Sequence, residues 1–226
     1  MRRSGTPGNP VDARLFASHD TFLAHRPPGA EEDVHMLPAI VDHVISRCSS
    51  PGDLVFDPFA GFGTTLGRAV HMDRRALGVE LLPERVAHIH RHVPAAHIIP
   101  GDARRLGELL PLLDAAVTLI LSSPPYMTVT HHEADPLTAY EETGGDYARY
   151  LRELGTVAQE CARLLAPGGH LVWNVADILH EGDHTPLIDD CARVLDEHLT
   201  RVAVVEIEWD RLPHDLTRDA LLVFRR

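Results

Sequence analysis

Acidic residues end three apolar runs of the sequence, at positions where their side chains could bind one ligand. Asp57 ends LVFD, Glu80 ends ALGVE and Asp102 ends HIIPGD. Short apolar runs that alternate with helical stretches are typical of parallel strands, whose carboxyl ends meet at one edge of the sheet. We therefore expect the three carboxylates to lie along a common edge. The interval from Asp57 to Glu80 is near that at which an acid meets the ribose hydroxyls of a nucleotide.

A glycine-rich turn begins at the first of these acids. The segment DPFAGFGTT, residues 57–65 and here called the glycine loop, contains two glycines and two threonines, namely Gly61, Gly63, Thr64 and Thr65. Glycine lets the backbone approach a ligand closely, and the predicted helix start at the threonines offers free N–H groups and a positive dipole end. The turn suits a nucleotide-like ligand, although tight strand-to-helix packing also accounts for many isolated GxG sequences.

The charges around this turn indicate which nucleotide-like ligand it would hold. A pyrophosphate would be repelled by three carboxylates, and the glycine loop lacks the lysine of a phosphate-binding GKT or GKS sequence. A cationic nucleoside without phosphates fits better. S-adenosylmethionine carries a sulfonium, a ribose and an adenine, and is the cofactor that we predict.

A rigid segment follows the fourth apolar run. Residues 122–127 read SSPPYM and come directly after VTLIL. Two prolines remove two backbone donors and fix two φ angles, so a strand must stop there and the chain must leave the sheet as a stiff segment. The segment is either a strand terminator followed by a surface aromatic, or an arm that holds catalytic groups in place.

The glycine loop and the rigid segment together resemble motifs of a known enzyme family. Residues 35–65, HMLPAIVDHVISRCSSPGDLVFDPFAGFGTT, and SSPPY at 122–126 resemble the N4-cytosine and N6-adenine DNA methylases, which depend on S-adenosylmethionine. SSPPY is similar to their catalytic tetrapeptide in its Ser-Pro-Pro-Tyr form. The resemblance extends over roughly residues 35–177. The tRNA guanine N2-methyltransferases carry similar motifs and are the runner-up within this resemblance.

The resemblance implies a role for each motif residue. The S-adenosylmethionine site would comprise Asp57, Phe59, Gly61, Gly63, Thr64, Thr65, Glu80, Asp102 and Ser122. Within it, Glu80 would bind the ribose hydroxyls, Asp102 the adenine amino group and Thr64 or Thr65 the methionine carboxylate. The catalytic segment would comprise Ser123, Pro124, Pro125 and Tyr126. There the Ser123 hydroxyl and the Pro124 carbonyl would accept the hydrogens of a target amine, while the Tyr126 ring stacks on the base.

The pattern of apolar runs predicts a doubly wound α/β fold, Rossmann-like and of the class I methyltransferase type. We expect a mostly parallel seven-stranded sheet that ends in an antiparallel pair, VAVVEIEW at 202–209 and ALLVFRR at 220–226. Residues 1–33 have few periodic apolar positions and are predicted to be an irregular arm. Residues 34–226 then form a single domain, with a loop or lid at 127–146.

Composition limits the partners and the metal chemistry. The formal net charge of −12 opposes tight binding to a polyanion. The three cysteines have no CxxC spacing, and the neighbouring His131 and His132 have no third ligand at a recognisable spacing, so we predict no metal. We see no leader or membrane-spanning stretch and expect a cytoplasmic protein.

The substrate stays open at this stage. The resemblance implies the amino group of a nucleic-acid base as substrate, with specificity supplied by a homodimer or a second subunit, because no segment is left for target recognition. A small molecule or peptide is an alternative that the acidic composition favours. The non-enzymatic alternative is a cofactor-binding partner subunit.

Overall fold

The computed structural model describes residues 8–28, 30, 35–113, 116–129, 135–138 and 145–226. In these ranges the strands are β1 (Arg14–Ala17), β2 (Leu54–Asp57), β3 (Arg75–Glu80), β4 (His97–Pro100), β5 (Val117–Ser122), β6 (Leu165–His180), β7 (Asp183–Thr185), β8 (Thr200–Trp209) and β9 (Leu216–Arg225). The helices are α1 (His19–Ala24), α2 (Pro38–Cys48), α3 (Thr64–His71), α4 (Pro83–His92), α5 (Leu106–Leu109), α6 (Tyr147–Leu164) and α7 (Leu187–Asp196), with 3-10 turns at Ala103–Arg105 and Pro136–Thr138.

All described strands belong to one mixed sheet in the order β1-β8-β9-β6-β5-β2-β3-β4, with β7 paired to β6. The pairs β2/β3, β3/β4, β2/β5, β5/β6 and β1/β8 are parallel. The strand β9 runs antiparallel to both β6 and β8, which confirms the predicted antiparallel C-terminal pair. The strand order reverses between β2 and β5. In open α/β sheets such a switch point leaves a crevice at the carboxyl ends of the two strands, where ligands bind.

Helices cover both faces of the sheet, as the continuous apolar strands predict. Helices α2, α3 and α4 pack on one face, against residues such as Leu119 and Leu121 of β5. Helices α5, α6 and α7 pack on the other face, against residues such as Ile120 and Trp173. The alternation of β5 side chains between these two cores fixes which way each residue at its carboxyl end points.

The predicted strand number is too low. The seven predicted strands are present, but the described residues contribute nine strands to the sheet, because β1 and β7 also join it. Strand β7 has only the residues DHT and forms a hairpin with the long β6. Strand β1 has only RLFA and pairs with β8, with Arg14 opposite Glu206. Neither segment is a continuous apolar run, and each is in the sheet because it pairs with a longer strand.

Two further segments differ from the sequence-based expectation. The stretch predicted to be an irregular arm contains β1 and α1, and Phe22 of α1 is buried in the core that includes α2. Helix α7 was not predicted, although its buried positions have helical spacing. No helix in the described ranges is long and apolar enough to cross a membrane.

The predicted lid lies largely outside the described residues, since 130–134 and 139–144 are not among them. Residues 135–138 of this stretch are buried. The Asp135 carboxylate is completely buried and pairs with the Arg149 guanidinium of α6 at 2.9 Å. This part of the predicted lid is therefore tied to the domain.

Candidate functional site

The two strands at the switch point are joined by a hydrogen bond between their last residues. The Ser122 hydroxyl at the end of β5 donates to Oδ1 of Asp57 at the end of β2, over 2.5 Å. The same oxygen accepts the backbone N–H of Phe59 at 3.0 Å. Burial raises the pKa of Asp57 to about 6, and hydrogen bonds from Ser122, Thr65 and Phe59 oppose part of that rise. Asp57 is therefore a buried carboxylate that gains or loses its charge near neutral pH.

The glycine loop turns the chain from β2 into α3. Gly61 and Gly63 have φ angles of +55° and +84°, in the left-handed region that favours glycine. A Cβ at Gly63 would lie 2.9 Å from Cγ1 of Ile89 in α4, whereas a Cβ at Gly61 would lie at an ordinary contact distance of 3.9 Å from the Phe59 carbonyl oxygen. Gly63 is thus required by helix packing and Gly61 by the bend of the loop. Helix α3 begins at Thr64 and directs its free N–H groups toward the loop.

Glu80 links the end of β3 to the glycine loop. Its Oε2 accepts the Gly61 N–H at 2.7 Å and its Oε1 accepts the Leu82 N–H at 2.8 Å. The residue is only 6% exposed, and burial raises the pKa of its carboxyl. Each carboxylate oxygen has a second lone pair, so Glu80 can hold the loop and still accept a ligand hydroxyl.

Asp102, the third predicted acid, follows β4 and is engaged by a neighbour. The Arg104 guanidinium donates to it through Nε and Nη2, the latter at 2.6 Å, and also pairs with Glu153 of α6 at 2.8 Å. This arrangement balances the Asp102 charge with a cation. A contact between Asp102 and an adenine amino group stays a prediction.

An open cleft of about 330 Å³ lies at the switch point, over the carboxyl ends of β2 and β5. Among the predicted site residues, its lining includes Asp57, Phe59, Gly61, Thr64, Thr65 and Ser123. Gly63, Glu80, Asp102, Ser122, Pro124, Pro125 and Tyr126 are outside the lining. Ser122 and Glu80 support the lining indirectly, because they are hydrogen-bonded to the lining residues Asp57 and Gly61. The glycine loop and Ser123 of the rigid segment therefore share one cavity.

The rigid segment is anchored by tyrosine hydroxyls. The Tyr150 hydroxyl of α6 donates to the Pro125 carbonyl at 2.8 Å. The Tyr126 hydroxyl donates to the Asn174 carbonyl of β6 at 3.1 Å, and its half-buried ring packs against the core that contains α6. Within the described chain no donor reaches the Pro124 carbonyl or the Ser123 oxygen. The Ser123 oxygen, which lines the cleft, can thus accept a hydrogen bond from a ligand, and a contact between a ligand and the Pro124 carbonyl stays a prediction.

Three further residues border or support the site. His35 lines the cleft, stacks on Phe22 of α1 at a ring distance of 4.4 Å and bonds to the Phe22 carbonyl through Nε2 at 3.0 Å. Tyr150 and Asn174 hold the rigid segment from α6 and β6. A tyrosine at an apolar position of a helix is expected to be a core residue, so the sequence did not indicate that Tyr150 contacts the rigid segment.

Metal binding was predicted to be absent. In the described part of the chain, no group of three or more His, Cys, Asp or Glu side chains is arranged to hold a metal ion. His131 and His132 lie outside the described residues.

A family of DNA methylases, those acting at N6 and N4 positions, has a sequence model that matches residues 36–91 of the 226. The matched region contains α2, β2, the glycine loop and β3, which confirms the resemblance seen in that part of the sequence. The resemblance to tRNA guanine N2-methyltransferases stays a prediction. None of the curated proteins that were compared matches this chain.

Solved structures of methyltransferases share the architecture. A geranyl diphosphate methyltransferase in complex with S-adenosylmethionine has a TM-score of 0.60 and 12% identity, over 96% of this chain and 98% of that one. Geranyl diphosphate C-methyltransferase from Streptomyces coelicolor has a TM-score of 0.58 and 13% identity, over 89% and 88% of the two chains. A TehB-like methyltransferase from Corynebacterium glutamicum has a TM-score of 0.55 and 15% identity, over 81% and 85%. The chain therefore has the fold of S-adenosylmethionine-dependent methyltransferases, as its sequence predicts.

Proposed function

We propose that this protein is an S-adenosylmethionine-dependent N-methyltransferase that acts on the exocyclic amino group of a nucleic-acid base, cytosine N4 or adenine N6 in DNA. The observation that carries the proposal is the position of Ser123. It lies in the same cleft as the glycine loop, at the switch point of a methyltransferase fold. A cofactor on the glycine loop and an amine on the rigid segment would then meet in one cavity.

The residues around the cleft fit the cofactor. Gly61 lines the cleft and has no side chain, so a ligand can approach its backbone closely, and the α3 N-terminus with Thr64 and Thr65 suits the carboxylate of the methionine part. Asp57 in its ionised form would attract the cationic part of the molecule. Glu80 has lone pairs left for the ribose hydroxyls. When bound, S-adenosylmethionine supplies an electrophilic methyl group on a sulfonium sulfur that leaves as a neutral thioether.

The rigid segment supplies what an exocyclic amine needs in order to react as a nucleophile. The lone pair of such an amine is delocalised into its ring. Two acceptors on its hydrogens, the Ser123 hydroxyl oxygen and the Pro124 carbonyl, favour a pyramidal nitrogen whose lone pair is available. Because the prolines and Tyr150 fix these acceptors in advance, little reorganisation is needed in the transition state. The nitrogen releases one proton on methylation, and these same oxygens would guide it toward solvent.

The proposal of a DNA base rests on the family match and on the Ser-Pro-Pro-Tyr sequence. The match to DNA methylases covers residues 36–91, which contain the glycine loop proposed to bind the cofactor. The SSPPY segment, which lies outside that match, resembles the segment that receives the target amine in those enzymes. The net charge of −12 opposes DNA binding by the chain alone. We therefore propose that a homodimer or a specificity subunit brings the DNA to the cleft. A tRNA guanine is the alternative nucleic-acid target.

A small molecule is the second candidate substrate, because the acidic composition favours a substrate without phosphates. Methyl transfer from labelled S-adenosylmethionine to DNA, to tRNA and to a metabolite extract separates these substrates. We expect label in DNA. Label in tRNA alone, or in metabolites alone, would identify that class of molecule as the substrate instead of DNA. Cofactor binding without methyl transfer to any of the three would favour a partner subunit without catalytic activity.

A further inference from the structure

Two hydroxyl groups and one carbonyl form a chain of hydrogen bonds behind the cleft. The Tyr126 hydroxyl lies 3.1 Å from the backbone carbonyl of Asn174, and the Ser123 hydroxyl lies 3.3 Å from the Tyr126 oxygen. A carbonyl can only accept, so the single hydrogen of the Tyr126 hydroxyl is committed to Asn174. The bond between the two side chains then has one possible direction, in which Ser123 donates to Tyr126.

This direction determines what Ser123 can offer the cleft. A serine hydroxyl is ordinarily a rotor that can either donate or accept. Here its hydrogen points to Tyr126, and Ser123 itself lines the cleft beside the glycine loop. Its oxygen therefore presents only lone pairs to a ligand, and an amine has hydrogens to donate to them.

We propose that Tyr126 is a positioning residue, which fixes the Ser123 hydroxyl as a hydrogen-bond acceptor for the target amine. This inference rests on the proposed function and deepens it. Donation to Tyr126 also makes the Ser123 oxygen a stronger acceptor, and the onward bond from Tyr126 to Asn174 strengthens this effect cooperatively. The separation of 3.3 Å is longer than usual for two oxygens, as hydrogen bonds of catalytic groups often are in the absence of substrate.

The acceptor end of the chain is held firmly. Nδ2 of Asn174 donates to Oδ1 of Asp219 at 2.6 Å and to the Ala220 carbonyl at 3.2 Å. Oδ2 of Asp219 accepts the indole N–H of Trp209 at 2.8 Å. Asp219 is 5% exposed, and Asn174 lies within the paired strands β6 and β9. The Asn174 carbonyl is thus a fixed point for the Tyr126 hydroxyl.

The positioning role differs from the stacking role that the family resemblance implies for Tyr126. Stacking needs only the ring, so Tyr126→Phe would keep activity. The positioning role needs the hydroxyl. Without it the Ser123 hydrogen is free to turn into the cleft, where it opposes the hydrogens of the amine. Phenylalanine keeps the packing of the ring, so the substitution separates the two roles.

The hydrogen-bond chain can be tested without any substrate, by NMR of protein labelled with ¹³C at Cζ of its four tyrosines. The signals are assigned through the individual phenylalanine variants. We expect Ser123→Ala, which removes the donor to Tyr126, to move the Tyr126 signal and to leave those of Tyr147 and Tyr150 in place. An unmoved Tyr126 signal overturns the proposal.

The role in the reaction is tested by kinetics on the methyl acceptor found with labelled cofactor. Tyr126→Phe should lower kcat about three- to tenfold, as for the loss of one hydrogen bond, with the KM for S-adenosylmethionine unchanged. Tyr147→Phe is the matched control, because it removes a hydroxyl bound to Asp190, away from the cleft, and should leave kcat unchanged.

The double variant completes the test. Adding Tyr126→Phe to Ser123→Ala should cost nothing further, because both act through one hydroxyl. Wild-type kcat in Tyr126→Phe, or full additivity in the double variant, overturns the positioning role. If the wild-type protein methylates no acceptor, the proposed function fails. The NMR result then decides by itself whether Tyr126 orients Ser123.

Discussion

The backbone N–H of Gly61 donates to Oε2 of Glu80 over 2.7 Å, which ties the glycine loop after β2 to the end of β3. The other oxygen of Glu80 accepts the Leu82 N–H, so the carboxylate bridges two backbone segments. An acid at this position therefore shapes the loop even before a ligand is bound. Its contribution to cofactor binding includes holding Gly61 in place as well as any direct contact.

Glu80→Gln should weaken the binding of S-adenosylmethionine. Glutamine has one acceptor oxygen and can satisfy only one of the two N–H groups that Glu80 holds. We expect a loss of about 1.5–3 kcal/mol, which is more than tenfold in Kd. Titration calorimetry measures it. Glu84→Gln, at an exposed position of α4, is the control, and equal affinities in the two variants would remove Glu80 from the cofactor site.

Cofactor affinity should depend on pH through Asp57. The pKa of Asp57 is about 6, so its carboxyl is mostly neutral below that pH and mostly ionised above it. An ionised carboxylate attracts the cationic cofactor, so the affinity should rise as the pH increases from 5 to 7. Asp57→Asn should flatten this dependence. The same rise in the asparagine variant would assign the titration to another group.

Replacement of the two loop glycines should affect different properties, protein stability for Gly63 and cofactor affinity for Gly61. Gly63→Ala places a Cβ 2.9 Å from Ile89 at a φ of +84°, so we expect a loss of stability of about 2 kcal/mol or more. Gly61→Ala places a Cβ 3.9 Å from the Phe59 carbonyl oxygen, an ordinary contact, and should cost only the strain of a left-handed alanine, about 1–2 kcal/mol. Its Cβ would instead reduce cofactor affinity. Denaturant unfolding and calorimetry on both variants measure this contrast, which equal stabilities would contradict.

Tyr150→Phe tests the anchoring of the rigid segment. The substitution keeps the buried ring but leaves the Pro125 carbonyl without its donor, which should cost about 1–3 kcal/mol of unfolding free energy. Tyr147→Phe should cost less, because Asp190 keeps its bond to Arg193. Denaturant unfolding compares the two. A larger loss in Tyr147→Phe would show that Tyr150 does not carry the anchor.

Binding to DNA should be weak for the chain by itself. The net charge of −12 repels phosphates at long range. A gel-shift titration at physiological salt should show no tight complex with duplex DNA, and added salt should weaken the binding further. Tight, sequence-specific binding by the isolated monomer would contradict this reading of the surface and would remove the need for a second subunit.

The sequence predicted those parts of the site that follow from chain direction alone. Parallel strands bring their carboxyl ends together, so the neighbourhood of Asp57, Glu80 and Ser123 could be inferred from the apolar runs that precede them. The presence of helices between these strands could be inferred in the same way, because the apolar runs alternate with helical stretches. In each case one local pattern determined the outcome.

The remaining features depend on contacts between distant residues. Tyr126 bonds to Asn174 and Pro125 to Tyr150, pairs separated by 48 and 25 positions, and nothing near either residue indicates its partner. Strand β1 exists because β8 offers it an edge. The prediction that Tyr126 is a stacking ring also came from its local motif, and the bond of its hydroxyl across the sheet suggests a different role.

Identification of the methylated nucleoside tests the central claim most directly. DNA is incubated with the protein and labelled S-adenosylmethionine, digested to nucleosides and analysed by mass spectrometry, with Ser123→Ala as the comparison. The account predicts labelled N4-methylcytosine or N6-methyladenine from the wild-type protein and a clearly lower yield from the variant. Label only on a ring carbon such as C5 of cytosine, or equal yields from both proteins, would contradict it.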